Sequence, residues 1–104
     1  MSVNIHVKVS NDGDVYCKDD PALMKLSQHP DKKLVWHCNE GEFELEFITE
    51  SPFVGGGLVL VSENKKIEAE VKHHESQKVY VYYVRLQNPA GEQKKVDPSL
   101  VIQP

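Results

Sequence analysis

Five histidines and two cysteines hold most of the chemistry open to this chain. His37 stands beside Cys38, and His73 beside His74. On an extended strand successive side chains leave opposite faces. His37 and Cys38 therefore cannot address one metal ion or one substrate, and Cys38 is expected in the core with His37 on the surface. The same geometry separates His73 from His74 unless a loop relaxes it. A site that joins His37, His73 and His74 around Zn²⁺ or Cu²⁺ is the metal-binding alternative. The nucleophilic alternative sets Cys17 or Cys38 beside His6 in one cleft, and it requires an accessible thiolate.

The carboxylates suggest contact rather than catalysis. Glu42, Glu44 and Glu46 alternate with Phe43, Leu45 and Phe47. Acid–base catalysis by paired carboxylates needs surroundings that drive two pKa values apart, whereas three glutamates on one wet face share their surroundings. The strip, widened by Glu68 and Glu70, reads as a solvated ladder able to steer a basic partner. Gly55-Gly56-Gly57 lacks the Lys-Ser/Thr and the helix that make a glycine loop a phosphate cradle. No serine sits in a GxSxG elbow. The chain is expected not to be an enzyme and to need no cofactor. Between a proline and the glycine triplet lie Phe53 and Val54. An exposed Phe53 would anchor a protein partner, unless it folds back as a lid on the core.

Composition narrows the partners. Asp and Glu outnumber Lys and Arg 16 to 12, for a net charge of −4. Phosphate backbones call for clustered cations, so no nucleic acid is expected. The longest apolar stretch, Leu58 to Val61, is far below the roughly 20 residues of a membrane-spanning helix, and no membrane partner is expected. Met1 to His6 shows no basic cap ahead of an apolar run, which predicts a cytoplasmic protein with both thiols reduced. If a native leader has been replaced by a new methionine, the protein is exported, and a Cys17–Cys38 disulfide becomes the expectation.

The elements that must position these groups are strands. Val3, Ile5, Val7 and Val9 alternate with polar residues, a half-buried strand. Asn11 to Asp14 carries Asp-Gly and forms a hairpin turn, with Val15 to Cys17 as the next strand. Ala22 to Ser27 fits one turn of helix or a short edge strand, with the strand favoured in a sandwich. Leu34, Trp36 and Cys38 share one face and are expected to form a hairpin with Phe43, Leu45 and Phe47 around a turn at Asn39-Glu40-Gly41, with the glutamates on its wet face. Leu58 to Val61 is a strand buried on both faces or lying at the sandwich edge. Ile67, Ala69 and Val71 mark a half-exposed strand. Val79 to Leu86, apolar on both sides, is a central strand. A turn at Asn88 to Gly91 and a last strand, Leu100 to Ile102, complete an all-β sandwich of about seven or eight short strands in one domain, residues 1–104.

The run Leu34 to Asn39 followed by Phe43 to Phe47 resembles the cupredoxin pattern of strand, polar turn and strand ending in an aromatic. Tyr80 to Val84, the loop at Asn88 to Gly91 and Leu100 to Ile102 resemble the final cupredoxin strands that flank the ligand loop. The resemblance spans about residues 30–104 and implies a Greek-key β-sandwich. It also implies copper held by two histidines and a cysteine, but those places fall at Phe43, Val84 and Gln87. Between Leu86 and Leu100 there is no Cys, His or Met. The expectation is a metal-free, cupredoxin-like binding or accessory module. It would act through protein–protein contacts at Phe53, Val54, Glu42, Glu44 and Glu46, or form a homodimer along an open strand edge.

Overall fold

Alternation sets each strand, and the pairing of strands sets what they bring together. The computed structural model describes residues 3–11, 14–87 and 98–104. In chain order the strands are β1 (Val3–Val9), β2 (Val15–Cys17), β3 (Ala22–Lys25), β4 (Lys33–Cys38), β5 (Phe43–Phe47), β6 (Val59–Val61), β7 (Lys66–Glu70), β8 (Lys78–Leu86) and β9 (Ser99–Gln103). One 3₁₀ turn, Leu26–Gln28, follows β3. No helix among the described residues is long and apolar enough to cross a membrane.

Two mixed sheets face each other, with orders β2-β1-β4-β7 and β3-β9-β8-β5-β6. The chain changes sheet between β2 and β3, where the Asp20 carboxylate accepts the Ser99 amide at 3.0 Å and ties the crossing to β9. Each sheet contains one parallel contact, β1 with β4 and β3 with β9. The fold is all-β and sandwich-like, as the alternating segments predict.

The inner faces are the predicted ones, but the expected hairpin of Leu34 to Phe47 is corrected: the chain crosses between sheets at Asn39 to Gly41, so β4 pairs with β1 and β7 while β5 pairs with β6 and β8. Ile5, Val7, Leu34, Trp36 and Cys38 from one sheet meet Phe43, Leu45, Phe47, Tyr82 and Val84 from the other, all buried. Trp36 stands edge-on to Phe47, Phe53 and Tyr82, with ring centres 6.3, 5.9 and 5.8 Å away. Such T-shaped contacts set the positive ring edge against a negative face. The indole N–H donates to the Tyr82 hydroxyl at 3.2 Å, and Cys17 Sγ lies 3.6 Å from the same oxygen. One hydroxyl thus satisfies the polar atom of the largest core side chain.

Particular segments refine the sequence reading. Ala22–Lys25 is a strand, as expected, and β8 is central, lying between β9 and β5. Its outer side is nevertheless partly open, with Val79 54% exposed. The Leu58 to Val61 run takes the edge position: β6 has one neighbour, β5, and Val59 and Val61 are exposed. Asp12-Gly13, the expected turn at Asn88 to Gly91 and Asp97 lie outside the described residues. The Ser10 amide bonds the Asp14 carbonyl at 2.8 Å, and β1 and β2 run antiparallel on either side of it.

Candidate functional site

The thiols come first, because a nucleophile or a disulfide would decide the chemistry. Val7 is the register partner of Cys17 on one side and of Cys38 on the other. Strands lie about 4.8 Å apart, so the two Cα atoms are about 10 Å apart across β1, beyond the roughly 7 Å that a disulfide spans. Both cysteines are free and buried, which corrects the disulfide alternative. Burial pushes the Cys17 thiol up to about 11, with the Tyr82 hydrogen bond opposing the rise. His6 is exposed on β1, between the buried Ile5 and Val7. It therefore projects from the outer face, away from the interior that holds Cys17, and the Cys17–His6 cleft does not form.

The histidines separate in a way that the sequence does not reveal. His74 is buried, with Nδ1 2.8 Å from the Lys72 carbonyl and Nε2 2.7 Å from the Tyr80 hydroxyl. A carbonyl only accepts, so Nδ1–H donates to it and Nε2 accepts from Tyr80. Both ring nitrogens are used, and His74 has no lone pair left for a metal. His73 is exposed, and His37 lies on β4 in the other sheet from Tyr80. The metal alternative built on His37, His73 and His74 is corrected accordingly: among the described residues no three His, Cys, Asp or Glu side chains converge as metal ligands. His37 instead meets His6. The two are register partners in the parallel β1–β4 pair, and their rings stack with centres 5.8 Å apart.

Phe53 is buried at 3% exposure, with its ring centre 5.1 Å from that of Phe47. As an accessible anchor it is therefore corrected: its ring completes the core, and of the pair only Val54, 61% exposed, reaches solvent. The loop is held against the stretch after β7. Val54 donates its amide to the Glu70 carbonyl, and Lys72 donates to that of Pro52, at 3.0 and 2.9 Å. Gly55 and Gly56 adopt φ of +93° and +73°, a left-handed path that explains the triplet without a phosphate.

The glutamate strip is also spoken for. Arg85, opposite Glu44 in register, donates from Nε to Glu44 at 3.0 Å and from Nη2 to Glu46 at 2.9 Å. Glu42 lies before β5. It accepts the Ser62 hydroxyl at 2.6 Å and the Lys65 amide at 3.0 Å, and these bonds hold its carboxyl below the usual range. Its acceptor capacity fixes the turn in which Asn64 and Lys65 take positive φ. Glu68 and Glu70 belong to β7 on the other sheet and do not widen the strip. Glu68 is paired with Lys33 at 3.1 Å. The free acidic ladder is therefore corrected to a set of internally paired carboxylates. Replacing Arg85 by alanine is expected to cost about 1 kcal/mol, since Glu44 and Glu46 are left adjacent on one face. Urea unfolding should register the loss, and it should shrink at high salt as the carboxylates are screened.

No family model matches the chain, and neither a similar curated protein nor a similar solved structure was found. Function must be argued from the surface itself.

An exposed apolar strand edge lies at β6. Leu58 accepts from the Phe47 amide and Ser62 donates to the Phe43 carbonyl. By antiparallel alternation, the backbone groups of Val59 and Val61 then point away from the sheet. Their side chains are 51% and 57% exposed, beside Leu58 at 42%. Between this edge and β7 lies a hollow of about 350 Å³ bounded by Leu60, Val61, Asn64 and Ile67. The sequence allows the Leu58 to Val61 run an edge position but does not decide it, because an apolar run alone does not say whether a strand is covered.

Proposed function

We propose that the chain is a non-catalytic, cupredoxin-like Greek-key sandwich that serves as a binding module. It engages a further protein strand along β6, and that strand is the β6 of a second copy. The observation that carries this reading is the contrast between neighbouring edges. β7 presents Lys66, Glu68 and Glu70, the charged guard that keeps an edge from pairing. β6 is Val-Leu-Val, and its outer backbone groups face no strand among the described residues. Antiparallel pairing about Leu60 would set Val59 opposite Val61 of the second copy. That isologous contact brings no like charges together and extends the five-stranded sheet across a two-fold axis.

The likeness to cupredoxins draws support from where its segments lie: β4, β5, β8 and β9 carry them. The family's copper places are occupied by Phe43 and Val84, both buried in the core, and by Gln87. A module of this kind works without that copper site. A cytoplasmic setting agrees with two free thiols.

Sedimentation velocity over a micromolar concentration series tests the reading. The wild-type protein is expected to pass from monomer to dimer, and Val61→Lys, a change at an exposed position, to stay monomeric. A wild type that remains monomeric throughout, or a Val61→Lys variant that dimerises equally well, would overturn it.

A further inference from the structure

The outer face of the four-stranded sheet carries a second cluster, independent of β6. Parallel pairing sets His6 directly beside His37, with Asn4 two residues earlier on β1 and on the same face. The His37 Nε2 lies 2.9 Å from Asn4 Oδ1. His6 Nδ1 lies 3.3 Å from Asp19 Oδ2, and the His6 amide donates to the same oxygen at 2.9 Å. A carboxylate accepts, so Nδ1 carries a proton, and in the neutral imidazole the lone pair lies on Nε2. Asn4, His6 and His37 border an open hollow of about 350 Å³ shared with Lys8 and Asn39.

We propose that Asn4, His6 and His37 form a surface site for a divalent transition cation, with His6 Nε2, His37 Nε2 and Asn4 Oδ1 as ligands and Asp19 as a positioning residue. Bond lengths support the set. Two atoms bound in cis at about 2.0–2.1 Å lie about 2.9–3.4 Å apart, and the His37–Asn4 separation already has that value. The two ring centres are 5.8 Å apart, within the roughly 4.5–6 Å that two imidazoles on one ion span, but their planes lie 24° from parallel, so the rings must turn for both in-plane Nε2 lone pairs to meet one ion. The cation takes the place of the proton between His37 and Asn4, and that proton moves to His37 Nδ1, so the imidazole stays neutral. Asp19 supplies the carboxylate behind a ligating histidine that fixes its tautomer and raises its basicity. Water fills the remaining positions.

The ligand types select the ion. Lys8 borders the hollow, and Lys66 is the register partner of His37 on β7. Their charge disfavours a hard cation held by electrostatics alone, such as Mg²⁺ or Ca²⁺. Imidazole donors suit Cu²⁺, Ni²⁺ and Zn²⁺.

Calorimetric titration of the full chain with NiCl₂ and ZnCl₂ tests the site. One equivalent of Ni²⁺ should bind, and Mg²⁺ should not. His6→Ala and His37→Ala should each weaken Ni²⁺ binding at least about tenfold, and Asp19→Asn by roughly tenfold. His73→Ala, an exposed histidine elsewhere, should bind as wild type. A readout that needs no variant is amide line broadening by Ni²⁺, expected on β1 and β4 around His6 and His37. Absence of saturable binding, binding that survives His37→Ala or is lost in His73→Ala, or broadening centred elsewhere would overturn the proposal.

Discussion

Truncating Trp36 to alanine is expected to remove about 3–5 kcal/mol of stability, a large part of the roughly 5–15 kcal/mol that holds a domain folded. Trp36 is fully buried at the centre of β4, with Phe47, Phe53 and Tyr82 against its edges. Its removal opens a cavity that walls belonging to both sheets and to the Phe53 loop cannot all collapse to fill. Urea unfolding followed by circular dichroism measures the loss. Trp36→Phe separates volume from hydrogen bonding, because it keeps a ring but withdraws the N–H from the Tyr82 hydroxyl. That hydroxyl retains Cys17 Sγ as a partner, so Trp36→Phe should cost well under half as much as Trp36→Ala. Equal losses in the two variants would mean that the hydrogen bond, and not the packing, dominates.

Raising the pH should destabilise the protein through Cys17. Its thiol titrates near 9 when unfolded and is pushed up to about 11 in the fold by burial. Because the folded value is the higher, the contribution is complete below pH 9 and is lost as pH rises from about 9 to about 11. Its size is about 2–3 kcal/mol. Tyr82, whose ionisation burial also raises, adds a loss in the same direction beginning near its ordinary value. In Cys17→Ala the alkaline decline should therefore start later and be shallower, as chemical denaturation at a series of pH values would record. Thiol labelling of the native protein at neutral pH should be slow for the same reason. A Cys17 that reacts as fast as free cysteine would show that the site opens far more readily than its packing implies.

Faces were legible in the sequence and neighbours were not. The period of two in Leu34 to Cys38 and in Phe43 to Phe47 already separates core from solvent, because side-chain direction is a local property of a strand. Which strand lies beside which depends on contacts between distant segments. The pairing of β1 with β4 brings His6 to His37, and that of β5 with β8 brings Arg85 to Glu44. No local pattern encodes either meeting. Phe53 shows the reverse limit. A phenylalanine between proline and glycines reads as a loop residue, and it is one, yet the isolated bridge from Phe53 to Val71 turns its ring inward. His74 was misassigned for a similar reason, since its partner Tyr80 belongs to the next strand.

The position of β9 governs the order in which the molecule can assemble. It lies between β3 and β8, in parallel register with the one and antiparallel with the other. Until Ser99 to Gln103 has left the ribosome, β3 has no neighbour in its sheet and β8 has a vacant flank. β3, an early strand, is thus completed only once β9 has been made, and until then it waits with its apolar face uncovered. Pairing across such long sequence separations is slow to form. A growing chain of this kind is exposed to aggregation during synthesis rather than after it, and its yield in a cell should respond to chaperone supply more than to the stability of the finished fold.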